Sequence, residues 1–351
     1  MFDYLILGQG LAGSLLAWQL IQRGRRVLVI DDGHRSSSSR VAAGLINPLA
    51  GMRFNAAPET AAWLESMDRT YHQIAAELNS EPYLHRIDMQ RLLRSPEQRR
   101  FYERQRDNPA VAGYLGRPLP PGGADPGIRS PHGGFEQRAT GYLDLPRLLD
   151  DLRGWLQHRG AYMQQELAYE HIALSTDAVG LEGWQAAHLV CCEGYRMQDN
   201  PWFGALPLQP DKGELLRLRS ARPLCLHIIN GAYWMVPLAD GGFRFGATHG
   251  HRDIDCEPTE DGRATLLDGL RQMLQDAPEI EITEHAAGVR PATSDRRPLL
   301  GSHATHPHVH LFNGFGARGA LSIPWYSERM CDYLLDGTGL PQHADIQRFD
   351  P

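Results

Sequence analysis

The first 33 residues constrain this chain more than any other stretch. "FDYLIL" is a short apolar run that ends in glycines, "LAGSLLAWQLIQRG" carries apolar residues at helical spacing up to Gly24, and "RRVLVIDDG" is a second apolar run. Strand, helix and strand in that order make a βαβ unit. Gly8, Gly10 and Gly13 fall at its first strand-to-helix turn in the pattern G-x-G-x-x-G. The first glycine permits the tight turn, the second lets a pyrophosphate approach the backbone, and the third lets helix and strand pack closely. Leu11 and Ala12 open the helix, whose N–H groups and positive dipole end attract phosphate. Asp31 ends the second strand, where a carboxylate accepts hydrogen bonds from a ribose diol, and Asp32 follows it. A glycine triplet alone is weak evidence, but in register with strand, helix, strand and acid it predicts a dinucleotide site.

At 351 residues the chain exceeds one small core, and two compact units are expected. From Thr60 to about Leu78 the pattern is helical, and from Pro82 to Gly134 it turns Arg-, Pro- and Gly-rich. "TGYLDLPRLLDDLRGWLQHRGA" restores an amphipathic helix from near Asp144, and "AAHLVCCEGY" is an apolar run closed by a glycine. Residues 201–284 alternate short β-like runs with turns and one helix near Ala264 to Leu274, as in a largely antiparallel sheet. The last segment, "HVHLFNGFGARGALSIPWYSERMCDYLLDG", gives strand, glycine turn and helix again. Residues 1–81, 135–200 and 285–351 are therefore assigned to a discontinuous dinucleotide-binding domain, and 82–134 with 201–284 to a smaller substrate or cap domain. The expected fold class is α/β, a Rossmann-like domain plus this second, mostly antiparallel unit. No repeat is found, and the only low-complexity tract is the four serines at 36–39.

A formal charge of -7 argues against an extended nucleic-acid surface, which draws on clustered Lys and Arg. Lys212 is the sole lysine. Five cysteines without a C-x-x-C pair indicate neither a zinc site nor a disulfide framework, and reduced thiols in a cytoplasm are the simpler expectation. The N-terminus lacks a basic region followed by a long apolar one, and no window approaches the length of a membrane span.

Beyond these features the chain resembles, nearly end to end, the D-amino-acid oxidase superfamily of FAD enzymes. The resemblance is carried by "ILGQGLAGSLLAWQLIQRGRRVLVID", "SRVAAGLINP", "GYLDLPRLLDDLRGWLQHRGA", "LVCCEGY", "KGELL", "VPLADGGFRFGAT", "GVRPATSDRRPLLG" and "GFGARGALSIP", which follow the family's order. It implies a glutathione-reductase-type FAD-binding domain. Gly8, Gly10, Gly13 and Asp31, with Leu11, Ala12 and Asp32, would hold the ADP half of FAD. Ser39, Arg40, Ala43 and Gly44 would border pyrophosphate and flavin, and Gly194 would sit near the pyrophosphate. Gly314, Gly316 and Gly319, with Phe315, Arg318 and Ala320, would meet the flavin's pyrimidine edge at a helix start. FAD would be non-covalent, because no cysteine stands near Gly288, where monomeric sarcosine oxidases carry their flavin-linking thiol.

In the resemblance Arg290 matches the arginine that grips a substrate carboxylate, and a planar guanidinium suits that task physically, because it offers two parallel N–H bonds. The structural alternative is an ion pair with an acid such as Asp295, while Arg296 and Arg297 read as solvated. Trp234 stands where glycine oxidase-like enzymes carry a substrate-contacting tyrosine, and His249 where they carry a methionine. Arg318 matches the form found in the FAD domain of the tRNA carboxymethylaminomethyl-uridine demodifying enzyme, as a second anion clamp or a flavin contact.

The reaction implied is oxidation of the C–N bond of a carboxylate-bearing amine by hydride transfer to flavin N5, then imine hydrolysis. Arg290 holds the carboxylate, and His249 or water takes the amine proton. The acceptor is O2 or another oxidant. No lysine matches the oxygen-activating one of sarcosine oxidases, so His249, His251 or Arg252 would have to supply that charge. Two rivals remain: a stand-alone tRNA-modifying FAD enzyme, favoured by Arg318 and the arginines from Arg86 to Arg106 but disfavoured by net charge, and a non-catalytic FAD-binding subunit or sensor.

Overall fold

The computed structural model describes residues 1–33, 37–175, 178–181, 183–276 and 278–349. Ser36, the first of the four-serine tract, lies outside the described residues.

Parallel strands Tyr162–Gln164, Val27–Asp31, Phe2–Leu7, Trp184–Cys191 and Val309–Asn313 lie side by side in the first sheet. Ile172–Leu174, Val179–Leu181 and Leu299–Ser302 extend it antiparallel. Val27–Asp31 is buried at every position, because a parallel strand is covered on both faces and so reads as a continuous apolar run. Alternation divides Phe2–Leu7 between two cores. Tyr4 and Ile6 pack toward helices Leu11–Gln22, Thr60–Glu77, Leu145–His158 and Gly319–Asp336, while Leu5 and Leu7 pack toward Met197, Phe203 and Ile346. Leu15 and Leu16 are fully buried between helix and sheet, and truncating either to Ala would cost about 2–5 kcal/mol.

The second sheet runs in the order Ile280–Arg290, Asp211–Ser220, Phe243–Gly246, Trp234–Pro237, Ile228–Asn230, Met89–Leu92, Gly134–Gln137, Leu115–Leu119. All its pairs are antiparallel except Met89–Leu92 with Ile228–Asn230. One face, with Leu92, Leu216, Leu218, Met235 and Phe245, packs on Leu266 and Leu270 of the helix Glu260–Met273. The other face, with Met89, Trp234 and Val236, packs toward Ala43 and Tyr142 of the first domain. A small antiparallel sheet of Leu45–Ile46, Gly141–Leu143 and Leu84–Arg86 joins the two layers.

Two differences from the sequence expectations have plain causes. The helix expected from Ala264 begins at Glu260, because Thr259 caps it by accepting the Gly262 N–H at 3.0 Å and two acids fill its first turn. Gly134–Gln137 and the whole of Ile280–Arg290 pair within the second sheet, so the passages between layers fall a few residues from the breaks set at 134/135 and 284/285. Among the described residues no helix is long and apolar enough to cross a membrane.

Candidate functional site

A cavity of about 990 Å³ extends from the glycine turn to the Trp234 face of the second sheet. At its nucleotide end, Gly8 has φ +97°, which only glycine adopts readily. Gly13 does not line the cavity. A Cβ there would stand 1.9 Å from the Gly8 carbonyl oxygen, so this glycine lets the helix close on the turn. Gly10 does line it, and beyond Ser39 Oγ at 3.4 Å nothing lies within 4 Å of a Cβ built on it, so a side chain would stand in the cavity. Helix Leu11–Gln22 has no side-chain cap, and its Leu11 N–H donates to Ser39 Oγ at 3.1 Å. This is a cradle that fits a pyrophosphate.

Asp31 accepts the Gln9 and Gly33 N–H groups, both at 2.8 Å, which fixes its carboxylate at the cavity wall. Asp32 pairs with Arg196 at 2.7 Å. Glu193 is enclosed at the same end, where burial raises its pKa and hydrogen bonds from Tyr169 (2.6 Å) and Asn200 (2.7 Å) oppose that rise. Gly194, with φ +60°, follows it on the wall.

Ala43, Gly44, Phe315, Gly316, Gly319 and Ala320 line the middle of the cavity. Gly314 stays outside it and forms the turn behind, at φ +80°. Arg40 also differs from expectation. Its guanidinium turns away to pair with Asp150 at 2.5 Å, tying the short helix Ser38–Val41 to helix Leu145–His158.

The other end is built from the second sheet. Antiparallel register sets Asp211 opposite Arg290 and Gly213 opposite Gly288. Arg290 Nη1 donates to Asp211 Oδ2 at 2.8 Å, and His249 Nδ1 lies 2.7 Å from the same oxygen. Burial disfavours the Asp211 anion, but His249 and Arg290 outweigh it and hold the carboxyl below its ordinary range. A Cβ at Gly213 would lie 2.2 Å from Arg290 Nη2, so the guanidinium lies flat on a bare backbone. Arg290 thus has an acid partner, though not Asp295, which pairs with Arg348 at 3.0 Å. Trp234 and His249 line the same end, whereas His251 and Arg252 do not. Arg318 is a wall residue with no ion pair among the described residues. It lies 5.0 Å over the Trp63 ring, donates to Pro48 O at 3.3 Å, and leaves Nε without a partner. Lys212 points to the opposite face and pairs with Asp255.

The family described as "DAO: FAD dependent oxidoreductase" matches residues 3–333. The chain belongs to this family of FAD-dependent oxidoreductases. It is 25% identical to the tRNA 5-methylaminomethyl-2-thiouridine biosynthesis bifunctional protein MnmC of Marinobacter nauticus, over 94% of this chain but only 55% of that protein. The chain thus spans about half the length of that relative. It is 23% identical to glycine oxidase of Bacillus licheniformis, over 95% of this chain and 93% of that one. The glycine oxidase structure from Geobacillus kaustophilus superposes with a TM-score of 0.83 at 20% identity, covering 97% and 99% of the two chains.

A sequence reading misses, among others, the wall residues Arg91 and Gly213 of this oxidoreductase and, behind the wall, Asp211, which holds Arg290. Asp211 and Gly213 are two apart on one strand and share a face, a signal visible in "DKGELL" only once the facing strand is known. Arg91 is hidden among the surrounding arginines of its segment.

Proposed function

We propose that the protein oxidises the C–N bond of an amine that bears a carboxylate. The observation that carries this reading is the positive charge lining the cavity beyond the glycine turn: Arg91, Arg290 and Arg318 are wall residues, and of these three only Arg290 has an acid partner among the described residues. FAD, held by the Gly8–Gly13 turn, Asp31, Gly194 and the Phe315–Ala320 segment, supplies hydride acceptance when bound. We take it to be non-covalent, since the wall cysteines, Cys192 and Cys256, neighbour Gly8 and Tyr195 rather than Gly288.

Arg290 orients the substrate. Its Nη1 is held by Asp211, while the nearest acceptor of Nη2 is Thr248 O at 3.4 Å, beyond good hydrogen-bond length, which leaves that edge for a ligand carboxylate. Asp211 fixes the arginine in place and also orients His249. An imidazole that donates Nδ1–H to a carboxylate presents Nε2 as an acceptor, suited to take the proton of the substrate ammonium. Trp234 has no acceptor and forms an apolar wall. Anaerobic mixing with a panel of amines tests the reading: carboxylate-bearing amines should bleach the flavin, and amines lacking a carboxylate should not.

A second reading, action on a carboxymethylamino group carried by tRNA, is favoured by Arg318 on the cavity wall and by the exposed Arg100, Arg104 and Arg106 of helix Pro96–Arg106. A gel shift with tRNA at two salt concentrations decides it, because phosphate contacts weaken as salt rises.

A further inference from the structure

Residues 247–259 link strand Phe243–Gly246 of the second sheet to helix Glu260–Met273, and they line the cavity at two places. His249 stands beside Arg290, while Cys256 and Glu257 belong to the wall together with Tyr195 and Arg196. Arg196 pairs with Asp32 at 2.7 Å, next to Asp31, and Cys256 Sγ lies 3.9 Å from Tyr195 Oη. A loop of the second layer therefore meets the first layer beside Asp31, at the nucleotide end.

Strand Asp211–Ser220 holds this loop with side chains that alternate away from Asp211 and Gly213. Lys212 exchanges both backbone hydrogen bonds with Gly250, at 2.8 and 2.9 Å, and its Nζ pairs with Asp255. Glu214 accepts the Thr259 N–H at 3.0 Å and the Thr259 hydroxyl at 2.8 Å. Asp255 also accepts the Glu257 N–H at 2.9 Å, so the Lys212 pair sets the backbone of the wall residues themselves. The Lys212 side chain is 7% exposed and that of Asp255 53%, and a pair with one buried partner is screened by salt less than a fully exposed one. The only lysine of the chain is thus committed to this loop.

We infer that the loop is part of the cofactor site: Cys256 and Glu257 close over the ADP half of FAD, and the Lys212–Asp255 pair holds them there. The inference takes the Gly8–Gly13 turn and Asp31 as the seat of that half. FAD then leaves only when the loop lifts from Tyr195, so an ion pair outside the cavity governs how long the cofactor stays.

Cys256 reports on the loop, because it is half-buried while Cys191, Cys192, Cys225 and Cys331 are buried. The test follows labelling of Cys256 by a thiol reagent, mapped by peptide mass, together with the release of flavin fluorescence from the FAD-loaded protein. In the wild type, loaded protein should label at Cys256 at least about tenfold more slowly than flavin-free protein. ADP should restore that protection to flavin-free protein, and riboflavin should not. Lys212→Met should release FAD about tenfold faster and label faster while loaded. The variant keeps its fold, because the Asp255 it leaves unpaired is already hydrated. Asp255→Ala should act alike, and the double variant should release FAD no faster than either single one, as for residues that act through one contact. Equal labelling of loaded and flavin-free wild type, no protection by ADP, protection by riboflavin, or a wild-type release rate in either single variant would overturn the inference. Amine oxidation enters none of these readouts, so the inference and the oxidation reading stand or fall separately.

Discussion

At the glycine-turn end the cavity is lined by Leu7, Gly8, Gly10, Leu11 and Ala12, by Ile30, Asp31 and Asp32, by Ser37, Ser38 and Ser39, and by the stretches around Gln165 and Glu193. At the other end Arg91, Trp234, His249 and Arg290, with Asp211 behind them, are brought onto one sheet by strand pairing across some 200 residues of sequence. The first end is a local device, in which glycines remove side chains so that a helix start meets a phosphate. The second depends on sheet register, where a one-residue slip would turn Arg290 or Asp211 to the opposite face.

The largest effect should follow from damage to the local device. Gly13→Val forces a branched side chain where even a Cβ meets the Gly8 carbonyl at 1.9 Å, and purified protein should contain no flavin, a loss of at least ~100-fold in affinity. Damage at the other end should spare the cofactor. Arg290→Ala should purify with FAD yet lose about 3–5 kcal/mol of transition-state stabilisation in kcat/KM with carboxylate substrates, much of it from the stranded charge of Asp211. His249→Gln should lower kcat/KM by about 100-fold without changing flavin content, as expected for loss of a proton acceptor.

Asp211 ties the two kinds of effect together through pH. Its folded pKa is depressed, so the stability it contributes is fully present above the ordinary Asp range near 4 and is lost as pH falls through the folded value. The melting temperature of Asp211→Asn should therefore fall less than that of the wild type between pH 5 and pH 3. The smallest effect belongs to Arg40→Ala. That arginine pairs with the exposed Asp150 outside the cavity, and its loss should change stability by no more than about 0.5 kcal/mol and leave flavin content intact.

The same contrast explains how much could be read from the sequence. The βαβ start, the second sheet and the helices from Thr60 and Asp144 follow from periodicity and punctuation, because those signals are local. Gly8, Gly10 and Asp31, singled out by an equally local signal, all line the cavity. Arg40 misled because a serine-rich loop does not reveal which way an arginine turns, and Asp150 lies on a distant helix. For Arg290 the sequence left two readings, a substrate carboxylate or an acid such as Asp295, and did not reveal that Asp211 is the acid it meets within the protein. That pairing, the flat seat on Gly213 and the placement of Arg91 emerge only when the second sheet is assembled.

The central claim is that a carboxylate on the substrate, held by Arg290, positions the amine for oxidation. The rate of anaerobic flavin reduction should be measured for an N-substituted glycine and for the same amine lacking its carboxylate, in the wild type and in Arg290→Ala. The account predicts a large advantage of the carboxylate substrate in the wild type that collapses in the variant. Equal rates for the two amines in the wild type, or an advantage that persists in Arg290→Ala, would contradict it.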